Sequence, residues 1–584
     1  MSEYRRLVSL NDALVQAGMA GQVLGRDSRY YGGVVDPQNG IAWPNHNGGT
    51  PDTMAIWTAA LVNPDSAYYH DKELLERLSL ASDYMLRFQH GDGTISPGWT
   101  NYHSPPDTAF VIVGYSQLYQ LLAADGWAPL GPVIAKMRLF LERSIPAMLT
   151  GGCHTPNHRW VLCAALGYIH QLFGIEEAAR RAEQWLAEGM DCTPDGEWTE
   201  RSNGIYNAVS DIMLIHAARL LNRPQLLEPV RANLRMMVYL VHPSGEVVTD
   251  YSGRQDFGHV HSLAGYFPAY TIMAHLDRDP LFAAMAAWAG GFLKHPGGLP
   301  NNALLGYLLD PSLRDPGVSP AELPTHYRKM INGSFLRADY LKEIEAAGHG
   351  GRIKHSRLHT DFGSQVARQR SGNTSVTIMT ETSSFFALRH GSTRLLAVQI
   401  ASYFEPGFVP MTHMEPLDNG YRLTAVQEKG YYGPVPGHLL PEAAKQPVSP
   451  WYLLPHHQRP LTHSQKHTVE ADITESSDGW KLRVRSDEPA EVMTQISLVF
   501  GGEGEIIADG LKPAGENASF WTGGAVRYIT ESDWLEVTGG DHEHLASSVR
   551  GASYPAGCRT LLVNVMTPFE KEIFIRLSPA VTDL

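Results

Sequence analysis

The sequence predicts two parts, an N-terminal (α/α)6 toroid followed by a C-terminal antiparallel β-sandwich. Three observations support this fold class. Six helix starts follow Gly- or Asn-rich loops within roughly the first 300 residues, and amphipathic segments lie between several of them. After Thr360, short β-type runs separated by turns replace both helical patterns. Long helical repeats followed by runs of strands indicate separate α and β domains.

Each predicted inner helix begins with residues that suit a helix N-terminus. Four of the six starts carry Pro in or near the first turn, where its missing N–H costs no hydrogen bond, and most have Ser, Thr or Asn placed to cap. Apolar residues follow each start, which indicates buried helices. The six starts lie at residues 49–52, 103–107, 154–157, 202–206, 258–262 and 298–302.

Four intervening segments have Leu and Met at helical spacing with charged residues between them, and they predict outer helices: 72–89, 132–149, 175–189 and 224–241. A repeat of roughly 40 to 58 residues, with one outer and one inner helix, is typical of arrays whose units cannot bury their apolar faces alone. In a closed ring the inner helices run the same way, so their N-termini meet at one mouth. That mouth favours an anionic ligand.

The β-rich part shows alternating apolar runs separated by Gly, Asn and Asp, which favours antiparallel sheets. A chain of 584 residues is too long for a single hydrophobic core, so at least two domains are expected. We predict a toroid over residues 1–325, a linker over 326–359 and a sheet domain over 360–584. The predicted strands include 375–379, 384–388, 395–400, 492–500 and 560–565.

Composition limits the possible functions. The formal net charge of −14, without a Lys/Arg cluster, argues against nucleic-acid binding. No apolar run approaches the ~18 residues of a membrane span, and residues 1–6 lead into no apolar core of a signal peptide, so a cytoplasmic protein is expected. Nucleotide-binding and serine-hydrolase motifs are absent from the sequence. No CxxC spacing occurs, so the sequence predicts free thiols at Cys153, Cys163, Cys192 and Cys558.

Three residues at neighbouring helix starts are the candidate catalytic groups. Asn157 and His158 lie in the first turn of the third predicted inner helix, and Tyr206 lies in that of the fourth. A single polar residue at a helix start is often only a cap. His and aromatic residues on nearly every mouth loop nevertheless favour a binding site, because loops on a rigid scaffold usually carry function.

Further candidates could bind an acidic oligosaccharide, since aromatic faces stack on sugar rings while Asn, His and Arg donate to hydroxyls and carboxylates. His355, His359 and His413 are the residues expected to reach the site from the chain beyond the predicted toroid. The candidate binding residues are Trp43, His46, His103, Arg159, Trp198, Arg201, Arg254, His261, His355 and His413.

The order Asn157, His158 and Tyr206 resembles that of the heparinase II/III-like polysaccharide lyases and their alginate-lyase relatives, whose toroid carries adjacent Asn and His with a Tyr farther along. The resemblance covers the architecture of nearly the whole chain, and three residues carry its motif. These relatives often have a Gly-His-x-His-x-Asp stretch in the sheet domain. The comparable place here reads Arg-His-Gly-Ser-Thr-Arg at 389–394, so no role from that stretch is carried over.

The resemblance implies β-elimination at a 4-linked uronic acid, which gives a 4,5-unsaturated product. Asn157 would neutralise the carboxylate on which charge develops. Tyr206, with a pKa lowered by positive groups, would remove the C5 proton and protonate the leaving oxygen in a syn elimination. For the opposite C5 configuration, His158 would be the base and Tyr206 the acid. The expected substrates are short oligosaccharides cut from a chain end, with glucuronate linked to rhamnose or another sugar, or alginate-type.

Two other functions compete with the lyase. An inverting glycosidase or an unsaturated-glucuronyl hydrolase on the same toroid would pair Asp52 or Asp107 with Glu197. Asp52 and Asp107 lie in first turns, where the helix dipole already accounts for a carboxylate, so the lyase is favoured. A non-catalytic carbohydrate-binding protein would explain the aromatic residues but not the Asn–His pair and the Tyr at neighbouring starts.

We expect no metal and no cofactor. Recognition of a carboxylate by Asn, His and Arg needs no divalent ion, and the His-x-His-x-Asp stretch of some relatives is missing. His259 and His261 are two residues apart, so their side chains point in different directions and make a poor ligand pair.

Overall fold

A computed structural model describes residues 2–347, 359–442, 447–531 and 533–579. The chain divides into two compact units. Unit 1 consists of Met1–Pro324 and Ser334–Gly363, and unit 2 consists of Thr325–Gly333 and Ser364–Leu584. The described helices longer than one 3₁₀ turn lie in unit 1, and the described sheets lie in unit 2.

Unit 1 contains thirteen α-helices within the described residues. They are α1 (Glu3–Gly21), α2 (Thr50–Leu61), α3 (Lys72–Phe88), α4 (Pro105–Asp125), α5 (Gly131–Thr150), α6 (Pro156–Phe173), α7 (Glu176–Leu186), α8 (Tyr206–Leu220), α9 (Leu227–Met237), α10 (Phe267–Asp277), α11 (Pro280–Gly291), α12 (Ala303–Leu309) and α13 (Arg337–Ala347).

Six of these helices form a closed cycle of contacts. Helix α2 packs against α4, α4 against α6, α6 against α8, α8 against α10, α10 against α12, and α12 against α2. These are the helices predicted from the six Gly- and Asn-rich starts. Helices α1, α3, α5, α7, α9 and α11 each pack on a neighbouring member of the cycle.

The cycle buries apolar residues, while its partner helices are amphipathic. Helix α4 is buried over most of its length, whereas α3 buries one stripe that includes Leu74, Leu78 and Met85. Helices α10 and α12 follow 3₁₀ turns at Leu263–Tyr266 and Leu299–Asn301. The sequence pattern did not predict α11 as an outer helix, because its Ala-rich sequence is apolar on all sides and shows no periodic apolar stripe.

Unit 2 contains two sheets. The strands are β1 (His326–Ile331), β2 (Val366–Ser371), β3 (Thr374–Met379), β4 (Phe386–His390), β5 (Thr393–Ser402), β6 (Gly407–Phe408), β7 (His413–Leu417), β8 (Gly420–Tyr432), β9 (Leu461–Ser476), β10 (Gly479–Ser486), β11 (Met493–Phe500), β12 (Glu505–Ala508), β13 (Leu511–Pro513), β14 (Ala518–Trp521), β15 (Val526–Thr530), β16 (Asp533–Thr538), β17 (Arg559–Met566) and β18 (Phe569–Leu577).

The sheets share one apolar core. The ten-stranded sheet has the order β1-β2-β3-β4-β5-β11-β17-β14-β13, with β6 on β5, and the eight-stranded sheet has the order β12-β15-β16-β18-β10-β9-β8-β7. The described pairings are antiparallel except for β14 with β17. Buried residues of both sheets, such as Ile496 and Leu482, belong to a single hydrophobic cluster.

The boundary between the units differs from the predicted one. The predicted linker, 326–359, contains strand β1 of unit 2 and helix α13 of unit 1. Strand β1 pairs antiparallel with β2 over six residues. The sequence did not predict this strand, because it is short and mostly polar and its partner is distant in sequence. Residues 348–358, with the candidate His355, lie outside the described residues.

Two expectations from composition can be compared with the structure. The four cysteines are free, as predicted. Over the described parts of the chain, no helix combines the length and the hydropathy that a bilayer crossing requires.

Candidate functional site

The first turn of α6 is held by a carboxylate from another loop. Asn157 is 1 % exposed, and both its backbone N–H and its Nδ2 donate to Oε2 of Glu200, over 2.9 and 2.6 Å. Glu200 lies in the loop that precedes α8. A carboxylate suits this position because free N–H groups and the positive end of the helix dipole meet there.

Glu200 also joins the loop before α10 to the start of α8. Its other oxygen, Oε1, forms an ion pair with Arg254, whose guanidinium lies over the Tyr206 ring at 4.5 Å from the centroid. Tyr206 is half-buried and opens α8. Asn157, Glu200, Arg254 and Tyr206 are called the Glu200 cluster below.

Burial and the charge of Arg254 shift the pKa values of Glu200 and Tyr206 in opposite directions. Burial raises the pKa of Glu200, while Arg254 and Asn157 lower it. Burial likewise raises the pKa of Tyr206 above its ordinary value, and Arg254 only partly offsets this. The predicted lowering of the Tyr206 pKa is therefore wrong, because desolvation outweighs the nearby guanidinium. The phenol is protonated at neutral pH.

Two neutral imidazoles lie beside this cluster. His46 stacks on Phe110 with ring centroids 3.9 Å apart, and His158 contacts the same ring edge-on at 6.0 Å. Burial lowers the pKa of each histidine to about 3, although Asp107 opposes the shift at His158. The Nδ1 atoms of His46 and His158 are buried and have no hydrogen-bond partner among the described residues. Such atoms could accept or donate to a ligand.

The carboxylates of the alternative hydrolase site have other partners. Asp52 accepts from the backbone N–H groups of Gly48 and Leu299, the latter at 2.7 Å, and burial raises its pKa to about 7. Glu197 is fully buried and accepts from Arg201 Nε at 3.1 Å and from the Gly363 N–H at 2.8 Å.

Asp107 is also buried and bonded. It accepts from Asn101 Nδ2 at 2.8 Å and from the Ser104 hydroxyl. All three carboxylates therefore bind protein donors that hold loops and helix starts in place.

Two predicted binding residues lie inside unit 1 rather than on its surface. Arg201 is fully buried between Glu197 and the Tyr251 ring, which lies 4.7 Å from the guanidinium. Trp198 is 2 % exposed, and its Nε1 donates to Asp211 over 3.2 Å. Both predictions are corrected by this burial, since each side chain supports the loop before α8.

Arg159 and His103 are also engaged. Arg159 donates to Asp191 at 2.7 Å and lies over the Trp160 ring, so it ties α6 to the loop that follows α7. His103 is exposed and its Nδ1 lies 2.8 Å from Asp92 Oδ2. Neither residue contacts the Glu200 cluster through these bonds.

The remaining candidates lie at three places. Trp43, in the loop before α2, is half-buried and packs edge-on against Trp99 at 5.2 Å. His261 covers Gly204, where an added Cβ would come within 2.8 Å of the imidazole, so it borders the start of α8. His413 is exposed on β7 of unit 2, and the buried His359 belongs to unit 1.

The structure brings together part of the predicted set and adds one residue to it. His46, Asn157, His158, Tyr206 and Arg254 lie at or beside helix starts, and Glu200 binds Asn157 and Arg254 directly and Tyr206 only through Arg254. The missed residue, Glu200, is visible in sequence only as an acid near a helix start. Its cap acts on α6 rather than on its own helix α8, so a local capping pattern cannot find it.

These groups can bind an anion and move a proton. A guanidinium and helix N-termini attract negative charge, while a phenol and neutral imidazoles can exchange protons with a ligand. Among the described residues, no group of three His, Cys, Asp or Glu side chains is arranged to hold a metal ion.

The buried imidazoles predict a stability that depends on pH. Their folded-state pKa values of about 3 lie below the ordinary value of 6.5, so the unfolded chain binds more protons between these limits. The free energy of unfolding should therefore fall as the pH falls through this window, by up to about 1.4 kcal/mol per pH unit for each histidine. His46→Gln should reduce this slope in denaturant titrations at several pH values. The exposed His259→Gln is the control, and an unchanged slope in His46→Gln would contradict the burial of a neutral imidazole.

No known family profile matches the sequence, and no curated protein sequence matches it. Solved structures do. The xanthan lyase of Paenibacillus superposes with a TM-score of 0.51 at 10% identity, covering 100% of this chain and 57% of that one. Heparinase III superposes with a TM-score of 0.49 at 11% identity, covering 90% of this chain and 76% of that one. The chondroitin AC lyase of Streptomyces coelicolor superposes with a TM-score of 0.49 at 12% identity, covering 99% of this chain and 80% of that one. The chain thus shares the fold of a polysaccharide lyase.

Proposed function

We propose that this protein is a polysaccharide or oligosaccharide lyase that cleaves a 4-linked uronic acid by β-elimination. The observation that carries the proposal is the contact of the Arg254 guanidinium with the Tyr206 ring, next to the neutral His158, at neighbouring helix starts. A cation beside a proton carrier is what removal of the proton adjacent to a carboxylate requires.

The architecture supports this function. We interpret the closed cycle of six helices with their outer partners as an (α/α)6 toroid, and the two sheets around one core as a β-sandwich. The similarity to xanthan lyase is a likeness of fold. The chemistry rests on the residues of the site, because one fold can host different reactions.

Arg254 is the residue we assign to the substrate carboxylate. Its guanidinium has five N–H donors, and its described hydrogen bonds go to Glu200, Gln255 and the Tyr206 hydroxyl. As the C5 proton leaves, negative charge grows on the carboxylate, and a fixed cation stabilises that charge more than the ground state. Asn157 Nδ2 donates to Glu200 and, over 3.4 Å, to the Thr155 hydroxyl, and it would become a second donor to the substrate by exchanging the longer of these two hydrogen bonds.

Tyr206 is the group we assign to proton transfer. Its pKa is raised, so the empty site holds a neutral phenol, and the guanidinium over its ring favours the phenolate that must form when it acts as the base. The same oxygen would then protonate the leaving sugar oxygen in a syn elimination. A buried imidazole with a pKa of about 3 is a weaker base, so His158 suits a hydrogen bond to the substrate better than proton abstraction.

Glu200 is a positioning residue in this mechanism. It fixes the Asn157 amide and the Arg254 guanidinium with its two oxygens, so the two carboxylate-binding donors keep a set separation. The substrates we propose are short acidic oligosaccharides, with glucuronate linked to rhamnose or another sugar, or an alginate-type oligouronate, cleaved from a chain end.

An assay with uronate oligosaccharides tests the reaction. β-Elimination after abstraction of the acidic C5 proton gives a conjugated enoate, so absorbance near ~235 nm should rise with time. The panel should include glucuronate linked to neutral sugars, alginate oligomers and a neutral oligosaccharide as the control. New reducing ends without this absorbance would show a hydrolase instead, with Asp52, Asp107 and Glu197 as the residues to re-examine.

Replacement of the proton carrier tests the roles. Tyr206→Phe removes the phenolic hydroxyl but little contact surface, so we expect kcat to fall at least about 10²-fold with little change in substrate binding. Tyr69→Phe, at an exposed tyrosine that follows the C-terminal end of α2, is the matched control and should leave kcat unchanged. Near-normal turnover in Tyr206→Phe would eliminate Tyr206 as the base.

Chelation tests the expectation that no metal is needed. The proposed site handles the carboxylate with Arg254 and Asn157, and donors of this kind replace a divalent ion as the electrostatic partner. Activity should therefore persist after dialysis against EDTA. A loss that zinc, manganese or calcium restores would contradict the assignment and direct attention to His359 and His413.

A further inference from the structure

A cavity lies at the end of the helix cycle opposite the candidate functional site. It has a volume of about 490 Å³ and is lined from the C-terminal halves of α4, α6, α8, α10 and α12. Tyr168, which lines it, follows His158 by ten residues on α6, or about 15 Å along the helix axis. The cavity is therefore separate from the candidate catalytic site, and its size is that of a small-molecule pocket.

Most of the wall is apolar, with side chains such as Ile215, Ile272, Leu276 and Leu309. Leu276 is 54 % exposed and Leu309 is 36 % exposed, so the structure leaves apolar surface uncovered at the opening. Water in contact with such a wall is released when an apolar ligand binds, which favours binding.

Three polar groups form a chain inside this wall. Arg219 donates from NH2 to the Tyr168 hydroxyl oxygen over 3.1 Å, and that hydroxyl lies 3.4 Å from Nδ1 of His216. The Tyr168 hydroxyl can donate to Nδ1, and in that tautomer the imidazole carries its hydrogen on Nε2. Burial and the neighbouring Arg219 lower the pKa of His216 to about 3, so the imidazole is neutral at neutral pH.

Arg219 lines the cavity and is exposed to solvent. Among the described residues, Arg219 forms no ion pair, and its described contacts are with the Tyr168 hydroxyl and ring. The carboxylate that also borders the cavity, Asp310, accepts from the backbone N–H and hydroxyl of Ser312.

The position of Arg219 in the last turn of α8 suits the helix dipole, which explains a cation at this place. The helix dipole does not explain why the guanidinium contacts Tyr168 at the wall of the apolar cavity. An exposed guanidinium beside apolar surface, with the Nε2–H tautomer of the imidazole next to it, is complementary to an anion with an apolar body.

We propose that this cavity is a binding site for a small monocarboxylate with an apolar body, held by Arg219 and His216 at its carboxylate and by the apolar wall at its other end. The site is independent of the proposed lyase chemistry, since none of its residues belongs to the Glu200 cluster.

Calorimetric titration of the purified full-length protein tests the proposal, with cyclohexanecarboxylate and benzoate as probes. Saturable binding with one site per chain is expected. The neutral analogues cyclohexylmethanol and benzyl alcohol should bind at least about tenfold more weakly, because they lack the charge that pairs with Arg219. Equal binding of acid and alcohol, or no saturable binding of either acid, would overturn the proposal.

Variants locate the binding to this cavity. Arg219→Gln should weaken benzoate binding about tenfold or more, and Leu309→Trp, which fills the opening, should remove it. Arg180→Gln is the matched control, because Arg180 is an exposed arginine of α7 outside the cavity. All variants should unfold cooperatively near the wild-type temperature. Binding unchanged in both Arg219→Gln and Leu309→Trp would place the probes elsewhere and refute the assignment.

Discussion

The buried carboxylate of Glu200 is the contact on which the arrangement of the site depends. One oxygen holds the amide and backbone N–H of Asn157, and the other holds Arg254 against Tyr206. The first turn of α6 and the loops before α8 and α10, which are distant in sequence, therefore share one charged group. Burying a carboxylate costs free energy unless it is paired and hydrogen-bonded, and here both conditions are met. Loss of either partner would leave a buried charge, so the positions of the two donors and of the phenol are linked.

A second carboxylate has a comparable role where the helix cycle closes. Asp52, at the start of α2, accepts from the Leu299 N–H, in the turn before α12. This bond joins the first and last members of the cycle at their N-terminal ends. The carboxylates that a hydrolase would use are thus part of the frame that positions the loops. Among the described residues, the buried atoms left without a hydrogen-bond partner in and beside the Glu200 cluster include Nδ1 of His46, Nδ1 of His158 and Oδ1 of Asn157, so a ligand would meet an amide acceptor as well as imidazole nitrogens.

The sequence predicted what depends on local structure. Pro and capping residues located five of the six cycle helices within a few residues, since these signals act within one turn, and α10 begins after an additional 3₁₀ turn. Asn157, His158 and Tyr206 were placed at neighbouring starts for the same reason. Glu200 was missed because its partner Asn157 is 43 residues away. The sequence suggests Arg201 as a binding residue because it does not show that Glu197 and Tyr251 enclose its guanidinium. The direction of the Tyr206 pKa depends on how far burial outweighs one cation, which only a folded structure can decide.

The path of the chain between the units limits how the protein can be divided. The chain leaves unit 1 at Pro324, contributes β1 to unit 2, returns for Ser334–Gly363, and then enters unit 2 again. Three covalent connections therefore join the units, and a single cut in one of them would not release either. A fragment that begins at Ser364 would lack β1, and the backbone N–H and C=O groups of β2 that pair with it would become an open edge. Strand β1 is the edge strand of the ten-stranded sheet and is mostly polar, whereas four of the six residues of β2 are buried, so the β-rich unit takes its edge strand from a segment that precedes the last helix of the other unit.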